Sequence, residues 1–203
     1  AVAKAVRACY ASLWNAWVLP YRDRLRVDHL TASMAVVVQQ LVDVPMTESA
    51  GVAFSIDAVR GQLDSVLINA AFGLGESVVG GEAAVDEYHV SRTQANGHYP
   101  ISESTIARKE NAIVVSEEGT QTRSLPTTQQ TQPTLDERQC HDVAALALAA
   151  EKYFGFPQDI EWAYRKGELF LLQSRPGTRI SARSTRDDSA ERIPDAVTPL
   201  TRD

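Results

Sequence analysis

The segment Gln158-Asp-Ile-Glu-Trp-Ala-Tyr-Arg-Lys-Gly-Glu-Leu-Phe-Leu-Leu-Gln-Ser-Arg-Pro176 constrains the fold more than any other stretch of the chain. Two runs of alternating character flank Arg165-Lys166-Gly167, which reads as a hairpin whose three-residue loop ends on a left-handed glycine. That loop pairs Tyr164 with Glu168, sets Asp159 opposite Gln173 and sets Glu161 opposite Leu171. Strand side chains alternate faces, so Ile160, Trp162, Tyr164, Phe170 and Leu172 are expected on a core face. Asp159, Glu161, Gln173 and Arg175 share the other face.

Two carboxylates, an amide oxygen and a guanidinium thus converge on one patch. Hard oxygen donors beside an arginine suit Mg²⁺ carrying a polyphosphate. The plainer alternative is a half-exposed hairpin with ordinary surface polar groups, and spacing alone leaves both open.

The rest of the chain supports a single α/β (α+β) domain with a mixed, largely antiparallel sheet and packed helices. At 203 residues it is long enough to bury a proper core. A net charge of −6 argues against a broad nucleic-acid surface, and no apolar run has the length of a membrane span. A cytoplasmic location follows as the default. Cys9 and Cys140 lie far apart within helical patterns and read as buried free thiols.

Val2, Val6, Tyr10, Leu13, Trp14 and Trp17 form an apolar helical stripe with no capping residue before it. The β-branched run Met34 to Val42 reads as a buried strand. Gly51 to Ile56 and Ser65 to Ala70 read as two strands of a meander. Further strands are expected at Glu87 to Arg92 and within Ile106 to Ser116. Glu117 to Pro133, rich in Thr, Gln, Ser and Pro, reads as a loop or a poorly ordered excursion. A long helix opens at Leu135-Asp136 and runs to about Phe154, with Gly155 as its cap.

Three other features bear on chemistry. Gly73-Leu-Gly-Glu-Ser lacks both the P-loop ending and the Rossmann spacing. It is either a tight turn or a loop whose backbone approaches a ligand, with Glu76 beside it. Arg108 and Lys109 stand before a strand, where they are solvated or reach a phosphate. His29, His89, His98 and His141 are scattered and receive no catalytic role.

Asp159-Ile-Glu-Trp followed by Leu171-Leu-Gln-Ser-Arg-Pro resembles the end of the ATP-binding domain of phosphoenolpyruvate synthases, pyruvate phosphate dikinases and rifampin phosphotransferases. Gly73-Leu-Gly-Glu-Ser-Val-Val and Val36-Val-Val-Gln-Gln-Leu-Val resemble two further blocks of that family. Pro194-Asp-Ala-Val-Thr-Pro-Leu-Thr resembles the segment that follows the domain. The resemblance implies an ATP-grasp-type lobe that binds ATP and Mg²⁺. It implies that Glu161 and Gln173 hold the metal with Asp159 in support, and that Arg175 meets the phosphates. Gln39, Gln40, Leu41 and Val42 would edge the adenine, and Glu76 would lie near the nucleotide; Lys109 joins them as a nucleotide contact on its charge and position alone.

Residues 1–178 are therefore expected to be a partial ATP-grasp nucleotide-binding domain, and 179–203 a charged linker toward a further domain. In the family a Lys and an Arg on a preceding subdomain also hold the phosphates, and the resemblance implies that their counterparts lie outside these 203 residues. The expected partners are a nucleotide, an N-terminal lobe and a phosphohistidine domain, in cis or in trans, with neither nucleic acid nor membrane. The intact enzyme would pass phosphate through a carrier histidine to pyruvate or an antibiotic hydroxyl. The competing expectation is a non-catalytic nucleotide-binding or partner-docking module.

Overall fold

Alternating and helical patterns resolve into four helices and eight strands in a computed structural model, which describes residues 2–24, 26–58, 60–79, 84–117 and 119–177. The linker at 179–203 and the Val197-Thr-Pro block lie outside these residues. The described residues fall into two compact units, one ending at Leu41 and one beginning at Val42.

The first unit holds α1 (Val2–Ser12) and α2 (Val18–Arg24). No residue of α1 is buried, and Val2, Tyr10, Trp14 and Trp17 are exposed. Arg22 is buried; it donates to the Leu13 carbonyl, and its guanidinium lies 5.5 Å over the Trp14 ring. The run from Met34 to Val42 is not a strand. Its β-branched residues favour extended backbone, but a strand also needs a neighbour to pair with, and none of the described strands pairs with it. Val37 and Val38 are 84% and 67% exposed, so the expectation of a buried strand is corrected.

The second unit is built on a six-stranded antiparallel sheet. Its strands are β1 (Ser49–Phe54), β2 (Ser65–Phe72), β3 (Asp86–Ser91), β4 (Ile101–Thr105), β7 (Gln158–Arg165) and β8 (Glu168–Pro176). They lie in the order β4-β3-β2-β1-β7-β8. A short helix, α3 (Glu76–Val79), follows β2, and β5 (Asn111–Ser116) pairs with β6 (Gly119–Ser124) in a separate hairpin. The polar run expected as an excursion therefore contains a strand. Thr120 and Thr122 favour extended backbone, and β5 supplies the pairing partner.

Helix α4 (Glu137–Phe154) covers one face of the large sheet. Asp136 and Gln139 form a reciprocal capping box at its start, and left-handed Gly155 ends it. Val143, Ala144 and Ala147 pack against Ile68, Val90, Ile160 and Trp162, all fully buried. Cys140 sits in this core, where burial pushes its thiol up to about 12, and both cysteines are free.

Candidate functional site

The hairpin reaches its geometry by a different route from the one its spacing suggests. Arg165 pairs with Glu168, so the loop is two residues, Lys166 and Gly167, both with positive φ (55° and 74°). That is the arrangement of a type I′ turn, which matches the twist of the strands. The shorter loop moves every partner on β8 by one. Trp162 now faces Leu171 and Tyr164 faces Leu169, while Phe170 pairs with Ala163. Phe170 and Leu172 are thereby removed from the expected core face, and Leu172 packs with Val44, Ala50, Leu74 and Ala163 on the other side.

A β-bulge between Glu161 and Trp162 then leaves Leu172 as the extra residue and reverses the parity again. Glu161 pairs with Gln173, and Asp159 with Arg175. Two offsets of one residue add to two, which moves each partner but restores the face, so the four polar residues share the face away from α4. Opposite partners carry Cβ atoms roughly 5 Å apart.

Within this group the two carboxylates differ. Asp159 is 7% exposed, and its Oδ2 accepts a hydrogen bond from Arg175 Nε at 2.8 Å. Glu161 is half-buried and makes no hydrogen bond or ion pair among the described residues. Burial raises its carboxyl above the ordinary range; Arg175 opposes that shift and Asp159 adds to it. Gln173 is exposed beside it.

The cross-strand row of Glu161 runs Gln173, Glu161, Val52, Asn69, Glu87. The next row runs Arg175, Asp159, Phe54, Leu67, His89, Glu103. The polar face therefore continues across the sheet. Asn69 Oδ1 is buried and makes no hydrogen bond among the described residues. Its only sequence signal was one amide inside an apolar strand. At the far end Arg60 bridges Glu103 (2.6 Å) and Glu87 (3.1 Å), and His89 bonds Glu87 at 2.8 Å beside buried Asp57. Sequence reasoning missed this network because its members are spread over 47 positions, from Asp57 to Glu103, and only strand pairing gathers them.

The glycine segment borders the same face. Gly73 has φ 78°, and a Cβ there would lie 2.3 Å from the Ile113 carbonyl oxygen, so β5 demands this glycine. A Cβ on Gly75 would meet Ala50, the partner of Ala163, at 3.6 Å. Glu76 thus opens α3 on the side that carries Glu161; it is half-buried and without a hydrogen bond among the described residues. Gly80 and Gly81 lie outside the described residues.

Lys109 is neither solvated nor directed to this face. It is 2% exposed and donates to Asp86 Oδ1 at 2.6 Å and to the Ala107 carbonyl at 2.8 Å. Asp86 also accepts from the Ala107 and Thr134 backbone amides and from the Tyr88 hydroxyl, whose burial pushes it up to about 12. Asp86 and Tyr88 lie on the α4 face of β3, so the sheet separates Lys109 from Glu161. Gln39, Gln40 and Leu41 are exposed and end the first unit, whereas Val42 opens the second and packs with Val44.

The donor set fits Mg²⁺ held with a polyphosphate. Glu161 offers an unengaged carboxylate, and Gln173 an amide, at paired positions. Among the described residues no three His, Cys, Asp or Glu side chains form a metal cage. Mg²⁺ is commonly held by one or two protein oxygens, with water and phosphate supplying the rest.

Comparison with known proteins bears on the same residues. The model of the pyruvate phosphate dikinase AMP/ATP-binding domain matches residues 1–194. A probable phosphoenolpyruvate synthase of Methanocaldococcus jannaschii is 36% identical over 180 residues, covering 88% of this chain and 15% of that protein. The phosphoenolpyruvate synthase of Pyrococcus furiosus is 35% identical over 195 residues, covering 92% of this chain and 23% of its own length. A rifampicin phosphotransferase of a Streptomyces species is 35% identical over 193 residues, 95% of this chain and 21% of that protein. The chain spans less than a quarter of the length of these relatives.

Proposed function

The chain belongs to the pyruvate phosphate dikinase AMP/ATP-binding domain family, and we propose on that premise that it is the Mg-ATP-binding part of a phosphoenolpyruvate-synthase-like phosphotransferase. Residues 1–178 would be part of an ATP-grasp-type domain and work in the cytoplasm. The observation that carries this reading is the pairing of Glu161 with Gln173 beside Arg175 on the face away from α4.

Phosphoryl transfer asks a protein mainly for positioning and charge neutralisation. Glu161 and Gln173 would hold Mg²⁺, which when bound supplies positive charge against the phosphate oxygens. Arg175 would direct its Nη groups to the same phosphates. Glu76 would face the nucleotide from the glycine loop. Gln39, Gln40, Leu41 and Val42 would supply the adenine edge through their backbone. In a protein of the relatives' length, the phosphoryl group would pass through a carrier histidine to pyruvate or an antibiotic hydroxyl.

Calorimetry of ATP binding to the 203-residue chain, with and without Mg²⁺, tests the reading. Binding that depends on Mg²⁺ and weakens in Glu161→Gln is expected. Equal binding of Mg-ATP by parent and variant would overturn the metal assignment.

A further inference from the structure

Asp159 and Glu161 stand two residues apart on one strand face, yet only one is open to a ligand. Asp159 is 7% exposed, lies directly across from Arg175, and accepts the Nε hydrogen bond at 2.8 Å. The Arg175 side chain is 30% exposed, and its Nη1 and Nη2 groups donate to no described residue. A guanidinium has five N–H donors in one rigid plane. Holding it at Nε leaves the Nη edge without a partner among the described residues.

We propose that Asp159 is the positioning residue of Arg175: it anchors the guanidinium by Nε so that the Nη edge is presented to phosphate oxygens, and it does not serve as a metal ligand. This rests on the Mg-ATP reading above and divides the labour of the two carboxylates. Glu161, whose carboxylate has no hydrogen bond among the described residues, would face the metal. Asp159, lying deeper, holds the arginine. A long flexible side chain left unanchored would lose more conformational freedom on meeting its ligand, so the anchor removes part of the cost of binding.

The test has two arms, both on the 203-residue chain. The first uses ¹⁵N NMR of arginine Nε–H groups, assigned by the signal lost in Arg175→Lys. The Arg175 Nε–H should exchange slowly with water in the parent and roughly tenfold faster in Asp159→Ala. Asp159→Asn, which keeps a neutral acceptor, should be intermediate and serves if the alanine variant fails to fold. The second arm titrates MgCl₂ alone and then Mg-ATP. Asp159→Ala should leave the Mg²⁺ response of the Glu161 and Gln173 resonances unchanged. It should weaken Mg-ATP binding about as much as Arg175→Ala, roughly tenfold, with no further loss in the double variant. A rapidly exchanging Arg175 Nε–H in the parent would overturn the proposal. So would additive losses, or a weakened response to Mg²⁺ alone. If the parent binds no ATP, the functional reading fails, and the exchange arm still decides whether Asp159 anchors Arg175.

Discussion

On the Mg-ATP reading, Glu161 is the residue at which stability and function pull apart. Burial holds its carboxyl above the ordinary range, against the opposing charge of Arg175 and with added pressure from Asp159. A carboxyl raised in the folded state favours protonation there, so its ionised form costs the fold stability. That cost is absent below the ordinary carboxylate range and grows as pH rises through the raised value. Glu161→Gln should therefore melt slightly above the parent at neutral pH, with the difference vanishing in acid, while losing Mg²⁺-dependent nucleotide binding. A lower melting temperature at neutral pH would contradict this account. Trp162, two strands from Ala70 and packed edge-on against Tyr164 at 6.0 Å, is fully buried. Trp162→Ala should cost about 3–5 kcal/mol in denaturant unfolding. These two neighbours were legible in the sequence as facing opposite ways, because alternation along one strand needs no knowledge of its partner. On β8 the face of Gln173 and Arg175 was legible too, but their partners and the faces of Phe170 and Leu172 were not, because those depend on a turn and a bulge.

At the scale of elements, the polar loops are fastened by side chains rather than by apolar burial. Asp86 ties the segment before β5, the strand β3 and the approach to α4 through Lys109, Ala107, Tyr88 and Thr134. Removing one member of a buried ion pair leaves the other charge uncompensated. Lys109→Met should destabilise the chain by about 3–5 kcal/mol, yet leave nucleotide affinity per folded molecule unchanged. A loss of affinity at unchanged stability would restore Lys109 to the site. The hairpin turn is fastened similarly, with Glu48 accepting from the Gly167 amide at 3.0 Å and lying 3.6 Å from Arg165. Helix α4 was readable end to end, since Asp136, Gln139 and Gly155 are local signals. Strand β4 was not, because Ile101-Ser-Glu-Ser-Thr carries little apolar pattern and owes its state to pairing with β3.

For the molecule as a whole, the decisive quantity on the Mg-ATP reading is positive charge near the phosphates. Mg-ATP carries about two negative charges at neutral pH and needs cations around its terminal phosphate. The hairpin offers Arg175, already paired with Asp159, in a chain of net charge −6 that spans less than a quarter of its relatives. The 203-residue chain alone should bind Mg-ATP with a Kd on the order of 1 mM and cleave it negligibly. Supplying the remaining parts of a relative's ATP-binding region in trans should tighten binding. Tyr10, Trp14 and Trp17, which are 47%, 58% and 55% exposed, would be apolar surface for those parts to meet. Rapid ATP cleavage by the chain alone would overturn this expectation. What the sequence determined by itself was whatever local periodicity and capping decide: the long helix, the meander, and the odd-numbered face of β7. The tertiary structure alone decided register. It converted a three-residue loop into two residues plus a bulge, drew Lys109 to buried Asp86, and left the β-branched run at 34–42 unpaired. Hydrogen-bond partners distant in sequence make those choices, and a strand's own residues do not encode which neighbour it will meet.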